Sequence, residues 1–581
     1  MPFSERNQLR NHFVLGFVPF GGCFDDFIKP FIEEMKQLEE GKIMDIQGNK
    51  SLVIASIGDI TADLPQGNDM AGVKRHGATR GCRTCNATKD SWTANNLDLL
   101  LISRYKHLAD KQFEEISAAP MITRCKEIAT EHGLQLQPPI LDYLRWERHL
   151  QSPQDVYHAT AGKVLRLLKM TIESFTLEGK SAFLANWKTF EYPRTWHKLP
   201  NPISHIDSFM MSDCLQLAMI FPFILNRFLK HHHFKQSELT KLQHRMGISR
   251  NDSATNLWIR CWSVVARTMV TVFKGSFTED DYVELRECLD NERKLLSQMF
   301  EEFECLLNLH INFHLILHAK NYATLLNTSV GMKEMIHRIF KNIVPRTNLK
   351  DVSLDLLRRY NTLFALRYLM DGGTDFQSSK SSSGFMSISQ HLKRLMSDWF
   401  IAKDKKVNVM NDGNEDVNED VNLSLLTNFR AELALAYEDL EKYIISNNQP
   451  SFFEYASFVY IKESSEAIRY ALHIGDVVSI DTDEFGEGLA TVQGIFCHRS
   501  DQIFTFIIID WFESTSLVKL DCPIYKLQTG RSRRKIFPIS VVNAVNRVHF
   551  IHNCNDGECI GGNHDFRNKT YIRNMYYFNT V

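Results

Sequence analysis

The chain has 581 residues, a mass of 67.3 kDa and a formal net charge of −2, from 67 Lys+Arg against 69 Asp+Glu. That length is room for three or four domains at about 150 residues each. Hydrophobic residues at 44% and charged residues at 23% exclude wholesale disorder and collagen-like or coiled-coil repeats, and the near-neutral balance confines any nucleic-acid surface to a local patch.

No apolar run reaches the roughly 18 residues of a membrane span, so no membrane partner is expected. The segment MPFSERNQLRNH is too polar for a secretory signal. Twelve cysteines are too sparse for a disulfide scaffold. A reduced compartment is therefore expected, where close cysteine pairs favour metal or redox chemistry.

The first 100 residues read as α/β. Phe13 to Phe20 and Ser51 to Ile57 are apolar runs that predict buried strands, with a helix over Asp25 to Glu40 between them. A polar, glycine-rich loop covers Asp59 to Gly81. From about 104 to 370 the apolar residues recur at helical spacing, giving a large all-α block. Its clearest helices are Val164–Thr176, Ile206–Lys230, Thr255–Phe273, Asp280–Leu317 and Met332–Ile343. Gly372–Gly384 and Lys403–Asn422 read as flexible linkers, small and polar in the first case, acidic and asparagine-rich in the second. A helix is expected over Leu423–Ile445. After about 470 short β-branched and aromatic runs alternate with turns, predicting a small all-β barrel or sandwich. No internal repeat is visible.

Three constellations could carry chemistry. Asp59 and Asp63 follow a predicted strand, where an α/β enzyme places metal-binding carboxylates; a strand-terminating turn is the other reading. Two-metal phosphoryl transfer needs two or three such acids around ions about 4 Å apart. Cys82-Arg83-Thr84-Cys85 is half of a zinc knuckle or a redox pair. His310, His314 and His318, four apart, share one helix face at zinc-binding spacing, or are simply partly exposed helix histidines. Glu334 opens the next helical run.

Together these pieces resemble DDE transposases of the CACTA/Mirage/Chapaev group, relatives of the V(D)J recombinase core. Asp63-Leu64-Pro65 is similar to that family's second catalytic Asp motif. Gly67, Gly72 and Gly77 follow, then Cys82 and Cys85, a His-x3-His pair and a later Glu. The resemblance covers about residues 10 to 370. It implies an RNase H-like core, partial over residues 1–100, with residues 101–370 as a large all-α insertion. Asp63 and Glu334 are the implied Mg²⁺-binding catalytic acids. Cys82, Cys85, His314 and His318 are the implied structural Zn²⁺ ligands, with His310/His314 as the alternative register. Asp155-x2-His158 resembles a further motif of the insertion.

The implied activity is Mg²⁺-dependent DNA strand cleavage and transfer, in the nucleus, with DNA and a second copy of the chain as partners. The family's first catalytic Asp would precede Phe13, and Asp25 and Asp26 fall in a helix instead. Strand transfer by this chain alone is therefore not expected, and a non-catalytic DNA- or chromatin-binding protein is the alternative.

Residues 371–424 are then linkers, 425–470 a helical connector and 471–581 a β-rich module. The last resembles BAH-like (bromo-adjacent homology) chromatin modules through GDVVSID, VQGIF and IIIDWFE. Trp511, Phe512 and Tyr525 could line a pocket for a histone peptide or pack in the core. Arg531, Arg533, Arg534 and Lys535 could touch a phosphate backbone. His552, Cys554, Cys559 and His564 are zinc-type ligands in a glycine-rich tail, at a spacing that matches no standard finger.

Overall fold

The computed structural model describes residues 12–18, 21–46, 48–370, 407–410, 425–443, 448–461, 467–482, 486–545, 547–554, 559 and 563–578. The Gly372–Gly384 linker lies outside them.

Helix α1 (Phe24–Glu40) forms where expected, with Asp25 and Asp26 in its first turn beside the positive end of the helix dipole. It buries Ile28 and Ile32 against Leu141, Leu144 and Trp146. The two flanking strands differ from expectation. Residues 12–18 form no regular element, and Phe13 and Phe17 lie against Phe364 and Phe340. Ser51–Ile57 is not a buried strand. β1 (Lys42–Ile46) and β2 (Asn49–Val53) make a two-stranded antiparallel hairpin that leaves Leu52 65% and Ile54 68% exposed. A short apolar run does not by itself say what will cover it.

The helical block follows the periodicity from about residue 104 on and begins earlier than expected, with Leu64–Met70 falling inside the expected Asp59–Gly81 loop. It comprises α2 (Leu64–Met70), α3 (Leu99–Ile102), α4 (Lys106–Ala118), α5 (Ile122–His132), α6 (Val156–Ser174), α7 (Leu177–Thr189), α8 (Met211–Phe228), α9 (Gln236–Met246), α10 (Asn251–Val272), α11 (Glu279–Met299), α12 (Leu307–His310), α13 (Asn312–Tyr322), α14 (Gly331–Ile343) and α15 (Val352–Met370). Apolar on nearly every side, α8 is the central helix, with α6, α7 and α10 packed around it. The long helix expected from Asp280 to Leu317 is broken between Met299 and Leu307, and again at Ile311.

One buried ionic group joins three of these helices. Lys163 Nζ on α6 donates to Glu292 Oε2 on α11 (2.6 Å) and to Asn312 Oδ1 on α13 (2.8 Å). Asn312 Nδ2 donates back to Glu292 Oε2 (2.7 Å) and to Leu289 O (3.2 Å). Both charges are essentially dry, at 2% and 1% exposure.

The C-terminal part is built on antiparallel sheets. β3 (Asn408–Met410), β5 (Tyr455–Ile461) and β6 (Ala467–His473) form one in the order β3-β5-β6. The larger sheet has the order β12-β13-β10-β9-β8-β4, with β11 also on β9 and β7 also on β8. Its strands are β4 (Ser451–Phe453), β7 (Val477–Thr482), β8 (Gly486–Arg499), β9 (Ile503–Lys519), β10 (Cys522–Leu527), β11 (Lys535–Pro538), β12 (Phe550–His552) and β13 (Thr570–Arg573). The 425–470 segment is thus not only a helical connector: after α16 (Phe429–Glu438) it enters strands at Ser451. Lys403–Asn422 likewise contains β3, the rest lying outside the described residues apart from Val407. Leu433 and Tyr437 of α16 cover Phe496 and Phe506.

The far end of the large sheet packs into the helical core. Cys522, Ile524, Ile551, Ile572 and Tyr576 share one apolar cluster with α6, α8 and α10, and Asn574 Nδ2 donates to Met219 O (3.0 Å). Among the described residues no helix is long and apolar enough to cross a membrane.

Breaking the buried ion pair leaves a charge unpaired in a dry site. Glu292→Leu should lower the unfolding free energy by about 3–5 kcal/mol, and Lys163→Met with Glu292→Leu should recover most of it. Urea titration of the two variants measures both.

Candidate metal centre

Asp63 begins the site segment as the N-cap of α2, its Oδ1 accepting the Gln66 N–H (2.8 Å) with Pro65 in the first turn. The acid therefore sits at a helix start, not at a strand end. Beyond α2 the chain runs through Gly72, at φ 69°, into the Cys82–Cys85 turn.

Two buried arginines hold that turn. Arg83 donates to the carbonyls of Ser152 (2.9 Å) and Pro153 (2.5 Å), and its guanidinium fills the space where a Cβ on Gly67 would stand. Arg104 Nε donates to the Cys82 and Cys85 carbonyls (2.9 and 3.2 Å). Burial pulls both guanidinium pKa values down to about 10, and the nearby Cys82 thiolate opposes that shift.

The histidines come from α12 and α13. Cys85 Sγ lies 3.2 Å from His310 Nε2, Cys82 Sγ lies 3.4 Å from His314 Nε2, and the two Nε2 atoms are 3.3 Å apart. All four residues are buried, and their ligand atoms lie within 4.8 Å of one another. Zinc bonds of about 2.3 Å to sulfur and 2.0–2.1 Å to nitrogen put tetrahedral ligand atoms about 3.3–3.8 Å apart. These four residues fit one such ion.

The protonation pattern fits too. His310 Nδ1 donates to Trp92 O (3.0 Å), which leaves the Nε2 lone pair facing the cluster. Burial alone would push the Cys82 thiol up. The Cys85 hydrogen bond and the imidazoles of His314 and His310 outweigh it, and hold Cys82 well below the ordinary thiol range. The same hydrogen bond and burial push Cys85 up, so one thiolate is already present and metal binding would release the Cys85 proton. A thiolate is the form that ligates metal.

His318 stands outside this cluster, contrary to the His314/His318 register. Its Nε2 accepts the Gln154 N–H (3.3 Å), so that lone pair is already used. Burial, then the charges of His314 and Arg83, lowers its pKa to about 3 and keeps the ring neutral. Gln154 also reaches Thr84 Oγ1 (2.9 Å) and Cys82 Sγ (3.6 Å), tying His318 to the edge of the site.

The acids gather nearby around His158. Asp155 caps α6: its Oδ2 accepts His158 N–H (2.8 Å) and ring Nδ1–H (2.5 Å), and its Oδ1 accepts Val330 N–H (3.0 Å). His158 Nε2 lies 3.9 Å from Glu334 Oε1. Burial disfavours the imidazolium, but Asp155, followed by Asp63 and Glu334, raises its pKa above the ordinary value. Lys333 Nζ donates to Thr61 O (2.5 Å), pinning the start of α14 to the Asp63 segment. Asp59, the other candidate acid, accepts a hydrogen bond from Tyr322 (3.1 Å).

The C-terminal candidates divide. Trp511 covers Gly488, where a Cβ would stand 2.5 Å from its ring; Phe512 stacks on Phe550 at 4.1 Å, and Tyr525 meets the same ring edge-on. All three aromatics are half-buried; only Trp511 packs on a core cluster. Arg534 pairs with fully buried Asp510 and Lys535 with Glu432, so half of the basic loop is committed internally. His552, Cys554, Cys559 and His564 do converge, within 4.8 Å.

Sequence reading missed Arg83, Arg104, His149 and Gln154, which surround the centre. His149 Nδ1 donates to Arg83 O (2.9 Å). Only Arg83 carried any signal, by standing between the cysteines. No protein-family model matches the chain, and no curated protein matches it.

Cys82→Ser or His310→Ala should each remove one zinc per chain, counted by inductively coupled plasma mass spectrometry. His318→Ala should keep the zinc and cost about 1–3 kcal/mol, because the buried Gln154 N–H loses its acceptor.

Proposed function

We propose that the chain is a DNA-binding protein derived from a DDE transposase, with Asp63 and Glu334 as its acids. A structural zinc at Cys82, Cys85, His310 and His314 would hold the segments bearing those acids together. One observation carries the reading. Segments that the resemblance sets in order along the sequence meet in space: the Cys82–Cys85 turn with α12 and α13, and the Asp63 segment with α14 through Lys333 and Thr61. The RNase H-like reading of residues 1–100 rests on the order and spacing of these motifs.

A closed four-ligand site has no open position, so the zinc role is to position chain and not to react. Magnesium, when bound, would polarise a phosphodiester oxygen and acidify water. Asp63 and Glu334 suit such a hard cation in chemistry. Yet Asp63 spends Oδ1 on its helix cap, and Asp155 is fully engaged as another. His158, favoured as a cation, faces the same acids. Such a set supports substrate binding better than two-metal strand transfer, which uses two or three uncommitted carboxylates. Nuclear location and self-association follow from DNA action of this class. Trp511 packs against a core cluster and consecutive Trp511 and Phe512 face opposite sides of β9, so the three do not line one histone-peptide pocket together.

Fluorescence polarisation with duplex DNA should show binding that weakens steeply with salt. Supercoiled plasmid with Mg²⁺ should remain un-nicked. Nicking that Asp63→Asn abolishes would instead establish a complete catalytic centre. Absence of any DNA affinity would remove the DNA reading.

A further inference from the structure

The tail cluster stands apart from the first centre and joins two parts of the molecule. His552 ends β12, and Cys554, Cys559 and His564 lie in the loop that returns to β13. Cys554 Sγ is 3.2 Å from His564 Nδ1 and 3.5 Å from His552 Nδ1, while Cys559 Sγ is 3.8 Å from His552 Nδ1. A tetrahedral zinc ion with two sulfur and two nitrogen ligands needs Sγ···N separations of about 3.6 Å, from bonds of about 2.3 and 2.0–2.1 Å. Both cysteines are free thiols.

The imidazoles are set for a metal. His552 Nε2 donates to Asn568 O (2.8 Å), and His564 Nε2 donates to Thr189 O (3.2 Å). Each ring therefore keeps its proton on Nε2, and its Nδ1 lone pair faces the sulfurs. A backbone carbonyl behind each ligating ring is the usual outer support of a metal histidine. Two thiolates with two imidazoles select zinc over the hard cations.

We propose that His552, Cys554, Cys559 and His564 bind a second, structural zinc ion that clasps the C-terminal sheet to the helical block. The contacts around the cluster show what would be joined. Thr189 closes α7, and Glu191 just beyond it accepts the His552 N–H (3.3 Å). Arg227 at the end of α8 donates to Glu191 Oε2 (2.7 Å) and to His552 O (3.0 Å). His549 Nε2 donates to Glu191 O (2.7 Å). The ion would fix the β12–β13 connection against α7 and α8. This site is independent of the DNA reading.

Two measurements on the full chain test it. Metal analysis of protein purified without chelator should give two zinc ions per chain, and Cys554→Ser with Cys559→Ser should leave one. One zinc in the wild type, lost on Cys82→Ser, would overturn the proposal. So would two zinc ions in the tail variant. Should that variant fail to fold, alkylation of the wild type answers the same question. Mass spectrometry should find Cys554 and Cys559 protected from iodoacetamide until EDTA is added. Equal labelling before and after chelation, or a Cys554–Cys559 disulfide, would contradict it. Loss of DNA binding with both zinc ions retained would sink the proposed function and leave this site standing.

Discussion

Two thiols and two imidazoles from segments 225 and 232 residues apart meet in a space closed to water. Much of the first half of the chain is organised around that meeting. The Cys82–Cys85 turn cannot shift, because Arg83 and Arg104 tie its backbone to residues 152–153 and to each other's surroundings. Nor can the histidine helices rotate freely, because Asn312 is locked to Glu292 and Lys163 inside the helical core. A metal ion at this point would close a loop of well over two hundred residues, where a cross-link removes the most unfolded-chain entropy.

The acids inherit their placement from this frame. Glu334 follows the histidine helices after a short turn, and Lys333 hooks its helix to Thr61, two residues before Asp63. His158 is held between them by Asp155. Unlike the metal cluster, this group is partly open: the Glu334 side chain is 43% exposed. A closed Cys/His cluster thus stands beside a partly open charged group.

What the sequence made legible follows the physics of each pattern. Long helices such as α6, α8 and α10 declare themselves, since apolar residues every three or four positions have one good structural answer. The strands of the C-terminal sheet are readable from β-branched runs between turns. Phe13–Phe20 reads as a buried strand, yet residues 12–18 pair with none, because an apolar run needs neighbouring strands that no local pattern specifies. Ser451–His473 mixes aromatic with polar residues and hides its strands. The histidine register was undecidable at a spacing of four: His310, His314 and His318 all qualify on an ideal helix. In the fold the helix breaks at Ile311, His310 and His314 converge on the cysteines, and His318 accepts the Gln154 N–H, all tertiary facts. Arg104, Gln154 and His149 act through backbone carbonyls and amides, contacts that leave no mark on residue spacing.

The fold of this half of the chain turns on the proposed zinc coordination of the Cys82–Cys85 turn by His310 and His314, with the sulfurs and Nε2 atoms already converged. X-ray absorption at the zinc edge of the Cys554→Ser with Cys559→Ser variant, which isolates this centre from the tail cluster, tests it most directly. The account predicts a four-coordinate shell of two sulfurs at about 2.3 Å and two imidazole nitrogens at about 2.0–2.1 Å, with the multiple-scattering signature of histidine. A shell of nitrogen and oxygen alone, four sulfurs, or protein that takes up no zinc would contradict it.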